Sequence, residues 1–150
     1  MKTIFFSLVL LFTLSCTNNN DNNDFQAQTI TPILIGKDRI NGDEGIQEQK
    51  IVVSNQTTWT QLMNAMNATN NVTNNFSTTT IDFDNFQLLV VFDKIKTAQG
   101  HNINITNATE NSNNIVVTVH TPTTPDFLPV MNQPFHIVKI PKSTKPVVFQ

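Results

Sequence analysis

Apolar residues come in short runs along this chain, and the spacing within each run predicts its element. The densest run is Phe86-Gln87-Leu88-Leu89-Val90-Val91-Phe92. The unbroken apolar stretch 88–92 cannot alternate between core and water, so it predicts a strand covered on both faces. Ile103 and Ile105 recur at period two, with polar neighbours between them. After the turn-forming residues 109–114 the chain returns as Ile115-Val116-Val117-Thr118-Val119-His120. With the central run, these predict an antiparallel meander. Residues 135–140 and 146–149 read as two short closing strands around the turn 141–145. Upstream, 30–35 reads as a short first strand, at a sheet edge because Pro32 cannot donate to a ladder. Residues 46–53 read as a second strand. Between them 36–45 is rich in turn residues, with Asn41-Gly42 as a tight-turn candidate.

One stretch has helical spacing. Trp59, Leu62, Met63 and Met66 fall at i, i+3, i+4 and i+7, one apolar stripe on a helix over 57–67. Thr58 and Gln61 have the spacing of a capping box, which would satisfy two free backbone N–H groups at the helix start. Such a stripe can serve a partner, but core packing against a sheet is the reading the pattern favours. Residues 68–80 form a long polar connection in which Phe76 is the candidate plug into the domain. Asp82 and Asp84 share one side of an extended chain. With no third ligand beside them they predict turn capping in preference to a cation site. The sum is an α+β fold: an antiparallel β-sheet system of about six to seven strands with one amphipathic helix packed on it.

The loops between these elements carry the candidate binding residues, because loops held on a rigid sheet are where binding concentrates. Residues 96–101 are the most distinctive loop, with Gly100 free to take a positive φ. Thr97, Gln99, Gly100 and His101 are its candidate contact residues. Residues 121–134 hold Pro122, Pro125, Pro129 and Pro134, which predict an extended, poorly paired segment. Phe127, Leu128, Val130 and Met131 within it either fold back over the core or form an exposed contact surface. The pattern favours core cover, while Phe127 and Leu128 are the contact candidates under the other reading.

Composition narrows the function classes. The chain has 150 residues, enough for one domain; 39% are hydrophobic and only 13% charged, with a net charge of −2. Lysines and acids are scattered, so no basic stripe awaits a phosphate backbone and nucleic acid is not an expected partner. The N-terminus has the order of a signal peptide: Lys2, a run over 4–14 that is apolar apart from Ser7 and Thr13, then Leu14-Ser15-Cys16. That run falls short of the roughly 20 apolar residues a membrane-spanning helix needs. Cys16 is the only cysteine, so an intrachain disulfide is impossible. Its setting resembles the lipobox of bacterial lipoproteins, with Thr13 where Leu is usual. The resemblance implies lipidation at Cys16, and an ordinary secretion signal cut nearby is the alternative. The expected organisation is a lipoprotein signal peptide at 1–15, a lipidated cysteine and Asn-rich tether at 16–27, and a single β-rich domain at 28–150. The tether would span on the order of 20 Å. The location implied is the cell envelope, lipid-anchored at the outer membrane or cell surface.

Catalytic signatures are missing from the residues. His101, His120 and His136 have no ligand spacing with Cys, Asp or Glu. A two-histidine site from His120 and His136 is a minor alternative, if their strands are neighbours. No nucleophile elbow or phosphate-cradling loop follows a strand. The expectation is a non-enzyme with no cofactor and no metal.

From about residue 51 onward the order of features resembles the PrcB C-terminal domain family, known from a subunit of bacterial surface protease complexes. The matching pieces are a strand followed by a helix start at Thr58-Trp59, then Asp82-Phe83 ahead of the hydrophobic strand. After these come the loop 97–101, two strands over 103–119, the proline loop 122–134, and Pro134-Phe135-His136. The loop departs from the family's Thr-Gly-Gly-aromatic pattern: Thr97-Ala98-Gln99-Gly100-His101 keeps the Thr and one Gly. The resemblance implies a non-catalytic lipoprotein domain that binds or steadies a protease. Two alternatives stand beside it, a peptidase inhibitor that fills a cleft with its loops and an envelope module with an unrelated ligand. Thr121-Pro122-Thr123-Thr124-Pro125 is similar to the Asn-Pro-Thr-Thr-Gly loop of chagasin-type inhibitors. Pro125 in place of the glycine, and the lack of an Arg-Pro-aromatic loop, weigh against that reading.

Overall fold

The structure, a computed structural model, describes residues 25–122, 124 and 128–150. The signal segment 1–15, Cys16 with the tether up to 24, and Phe127, Thr123 and Pro125 lie outside the described residues.

Strand β4 (Phe86–Phe92) is the centre of the fold, and it is covered on both faces as its sequence requires. Alternation turns Leu88, Val90 and Phe92 to one side and Leu89 and Val91 to the other, and all five are at most 1% exposed. β4 pairs antiparallel with β3 (Gln49–Val53) and with β7 (Gln133–Pro141), and β7 pairs with β2 (Ile33–Ile40). This gives one sheet in the order β2-β7-β4-β3. A second sheet runs β1-β5-β6-β8, from β1 (Gln28–Ile30), β5 (Asn104–Glu110), β6 (Ile115–His120) and β8 (Val147–Phe149). The β6–β8 pairing is parallel; the other strand pairs are antiparallel.

The two faces of β4 feed two cores. Leu88, Val90 and Phe92 join Ile35, Ile40, Phe135 and Ile137 under helix α1 (Gln56–Met66). Leu89 and Val91 join Val138 and Ile140 against Ile105, Ala108, Ile115 and Val117 of the second sheet and Ile103 just before it. The molecule is therefore layered as helix, sheet, sheet. The α+β class stands, but among the described residues the strands number eight and divide between two sheets, where the pattern suggested about six or seven in one system. Which strands pair is decided by contacts remote in sequence, and these leave no local mark.

α1 lays its stripe inward. Trp59 and Met66 are fully buried, and Leu62 and Met63 pack against the same core. The Trp59 indole N–H donates to the Thr79 carbonyl at 2.8 Å, so its one polar atom is satisfied in the core. Phe76 does plug the domain. It stacks on Trp59 with centroids 6.0 Å apart and meets Phe135 edge-on at 6.0 Å. Gly36 makes room for it, because a Cβ there would run into the Phe76 ring.

Three local expectations need correction. The N-cap is Asn55, whose side chain accepts from Thr58 N at 2.9 Å, so the Thr58–Gln61 box is not the cap. The turn-rich reading of 36–45 gives way only as far as Ile40: β2 continues to there, its polar residues lying opposite β7 at an exposed edge, while 41–45 is irregular with Gly42 and Gly45 at positive φ. And β6 and β7 belong to different sheets, so His120 and His136 are not on neighbouring strands. Asp82 behaves as expected, accepting from Asp84 N at 3.0 Å and from the Asn85 side chain at 2.8 Å. The Asn85 bond, first among several, holds its carboxyl below the usual range.

Candidate functional site

The two loops singled out in the sequence are knit into one surface. The Lys96 amide donates to the Asn132 carbonyl at 2.7 Å, and the Asn132 amide returns the bond at 2.9 Å. The Asn132 side-chain amide donates to the carbonyls of Ala98 and Val130. Gln99 N donates to Leu128 O at 3.2 Å, Asn102 N to Pro122 O at 3.1 Å. Thr124 donates to Gly100 O from both its amide and its hydroxyl. Each loop thus satisfies the other's backbone groups, which is how two non-regular segments can be held still without a sheet.

Rigid elements hold this pair from below. Lys96 Nζ meets Asp93 Oδ2 at 2.9 Å, with only 14% and 7% of their side chains exposed. Gln133, buried at the start of β7, donates from one side-chain nitrogen to the carbonyls of Ile46 and Asp93. From the side, Arg39 on β2 donates through Nε to His101 O at 3.1 Å and through Nη2 to Asn102 Oδ1 at 3.0 Å. Gly100 has φ +84°, the left-handed conformation expected at this turn.

The surface so built is apolar. Leu128 is 58% exposed and Met131 55%, with Val130 and Ile95 similarly open. Core cover by Leu128, Val130 and Met131 is therefore overturned: the proline-rich segment spends its backbone groups on the 96–101 loop, which leaves these side chains facing outward. Phe127 lies outside the described residues. A recess of about 250 Å³ opens beside the patch, lined by Arg39, Ile40, Asn41, Gln99, Val130 and Met131. A larger recess of about 350 Å³ lies elsewhere, between β1 and residues 141–143. Its charges are already engaged: Glu110 pairs with Lys145 at 2.8 Å and Lys142 Nζ donates to Phe83 O at 2.6 Å. The smaller recess is the better candidate, because it adjoins exposed apolar groups.

Of the expected contact residues, Gln99, Gly100, His101 and Leu128 come together on this surface, with Thr97 exposed in the same loop. Sequence reasoning missed Arg39 and Asn132. Arg39 is the chain's only arginine, a signal that could have drawn notice; a lone Asn in an Asn-rich chain carries none.

His136 is the other polar group of interest. Strand alternation turns it toward the second sheet, where its Nδ1 accepts from Ile105 N at 2.7 Å. The bond falls where the β5–β6 register shifts between Ile105 and Asn107. Burial, aided by the Lys37 charge, pushes its pKa from 6.5 down to about 4. Among the described residues no three His, Cys, Asp or Glu side chains gather as a metal site, and no helix is long and apolar enough to cross a membrane. No family model matches the chain, and neither a curated protein nor a solved structure matches it. The PrcB likeness thus rests on its sequence motifs.

Proposed function

We propose that this chain is a non-catalytic domain, anchored at the cell envelope by a lipid on Cys16, that docks a partner protein through the joined 96–101 and 128–132 loops. The observation that carries this reading is the exposed apolar group Leu128, Val130 and Met131 on loops immobilised by each other's backbone. Apolar residues grouped on an ordered, polar-rimmed surface are what a protein interface core requires. Arg39 at the rim contributes a residue type enriched at such interfaces. The PrcB resemblance supports a surface or secreted protease as the partner, with the domain steadying it. The test is capture from native envelopes with the tagged protein, read by mass spectrometry. The expected result is one secreted peptidase in near-equal amount. Recovery of no specific protein would overturn the stable-complex reading.

A further inference from the structure

The chain enters the fold at one end of the sheets, and the docking loops sit at the other. β7 starts beside those loops at Gln133 and ends at Pro141, a run of about 27 Å at roughly 3.4 Å per residue. At the Pro141 end Lys142 N donates to Asn85 O, and Lys145 Nζ meets Glu110 Oε1 and the Asn111 carbonyl, both at 2.8 Å. These contacts bring the tip of the β5–β6 hairpin to the same end, whereas Arg39 ties the stretch before β5 to the docking end. Gln28 of β1 lies opposite Glu110, and the Lys145 ammonium sits 3.9 Å from the centroid of the Phe25 ring. Phe25, the first described residue, is therefore pinned a full sheet length from the docking loops.

We infer that this entry end, with Phe25, Ser112 and Lys142 at its surface, faces the lipid headgroups, and that the loops 96–101 and 128–132 face away from the bilayer. This orientation rests on the proposed lipid on Cys16. Nine residues, 16–24, separate that cysteine from Phe25. A chain of that length reaches about 30 Å when fully extended, and a coil of that length spans about 15–18 Å. Turning the loops to the bilayer would lift Phe25 about 27 Å above it before the depth of the loops is counted. That uses up the whole extended reach. Setting the entry end down uses none of it. Charge does not choose between the two, because Lys145 is paired with Glu110 and Lys142 stands near the Asp82 carboxylate. A docked partner then has its contact site roughly 30 Å or more above the headgroups, which fits a secreted or tethered protein and not one embedded in the bilayer.

Cys16 is the only cysteine of the chain, so once it is lipidated Ser112→Cys and Thr97→Cys each supply a single thiol for a fluorophore, at exposed positions on the two ends. Each full-length lipidated protein is placed on phosphatidylcholine vesicles, with and without phosphatidylglycerol, whose headgroups carry an energy-transfer acceptor. Residue 97 should read between about 13 Å and about 27 Å farther from the headgroups than residue 112, the limits for a domain free to tilt over a half-sphere and for one held upright. Phosphatidylglycerol should not change the difference. A Gly-Ser insertion of about 30 residues after Asn20 should shrink it toward zero, because the coil then spans more than the height of the domain. Equal distances on the native tether, or residue 97 the nearer, overturn the orientation and leave the anchor standing. A protein that carries no lipid by mass and does not float with the vesicles overturns the anchor reading, and the orientation with it.

Discussion

His136 shows how one side chain can tie a fold to pH. Its Nδ1 accepts the Ile105 amide only while unprotonated, and it sits 8% exposed between the sheets. The unfolded chain takes up a proton near pH 6.5, whereas the folded chain resists until about pH 4. Stability is therefore intact above about 6.5, falls through the window between those values, and is level below it as far as this group is concerned. At pH 5 the loss is about 2 kcal/mol. Urea unfolding of the wild type and His136→Asn at pH 7 and pH 5 checks this: the wild type should lose that much more than the variant. Equal losses would show that other groups govern the acid side. Gly36 works at the same scale through space, since its missing side chain is what admits Phe76 between Trp59 and Phe135.

Among the elements, those whose order is local were legible in the sequence. Residues 88–92 are apolar without a break, the pattern of a doubly covered strand, and the Trp59–Met66 stripe has the spacing of a helix packed on a core. β2 past Gly36 was not legible, because Lys37, Asp38 and Arg39 lie on an exposed edge where polar residues cost nothing. Their strand character comes from β7, about a hundred residues away in the chain. The N-cap was misplaced because Asn55 and Thr58 are both good caps, and only the backbone path chooses between them. The candidate site was half legible. Loop position and Gly100 marked 96–101, but hydrophobicity cannot say whether Leu128 and Met131 face a core or a partner. The ion pair beneath that loop gives an element-scale prediction. Lys96→Met leaves the buried Asp93 carboxylate without its counter-charge, held only by the Lys94 amide on Oδ1, which should cost about 3 kcal/mol of stability, read by urea unfolding at pH 7. A loss under about 1 kcal/mol, the range of an exposed pair, would show that Asp93 is solvated when the loop relaxes.

At the scale of the whole molecule, the helix-sheet-sheet layering explains why the candidate surface is stable without regular structure. β7 starts where the proline-rich segment ends, and Gln133 fixes that junction to Ile46 and Asp93. The loop pair is thus set on the end of the central sheet. The central claim concerns the loop surface, and the most direct measurement compares partner capture by the wild type and by a Leu128→Ser/Met131→Ser double variant. Both residues are more than half exposed, so folding and melting temperature should not change. The account predicts at least about a tenfold loss of the captured partner, the effect of about 1.4 kcal/mol or more of interface energy. Capture unchanged by a normally folded double variant would contradict it.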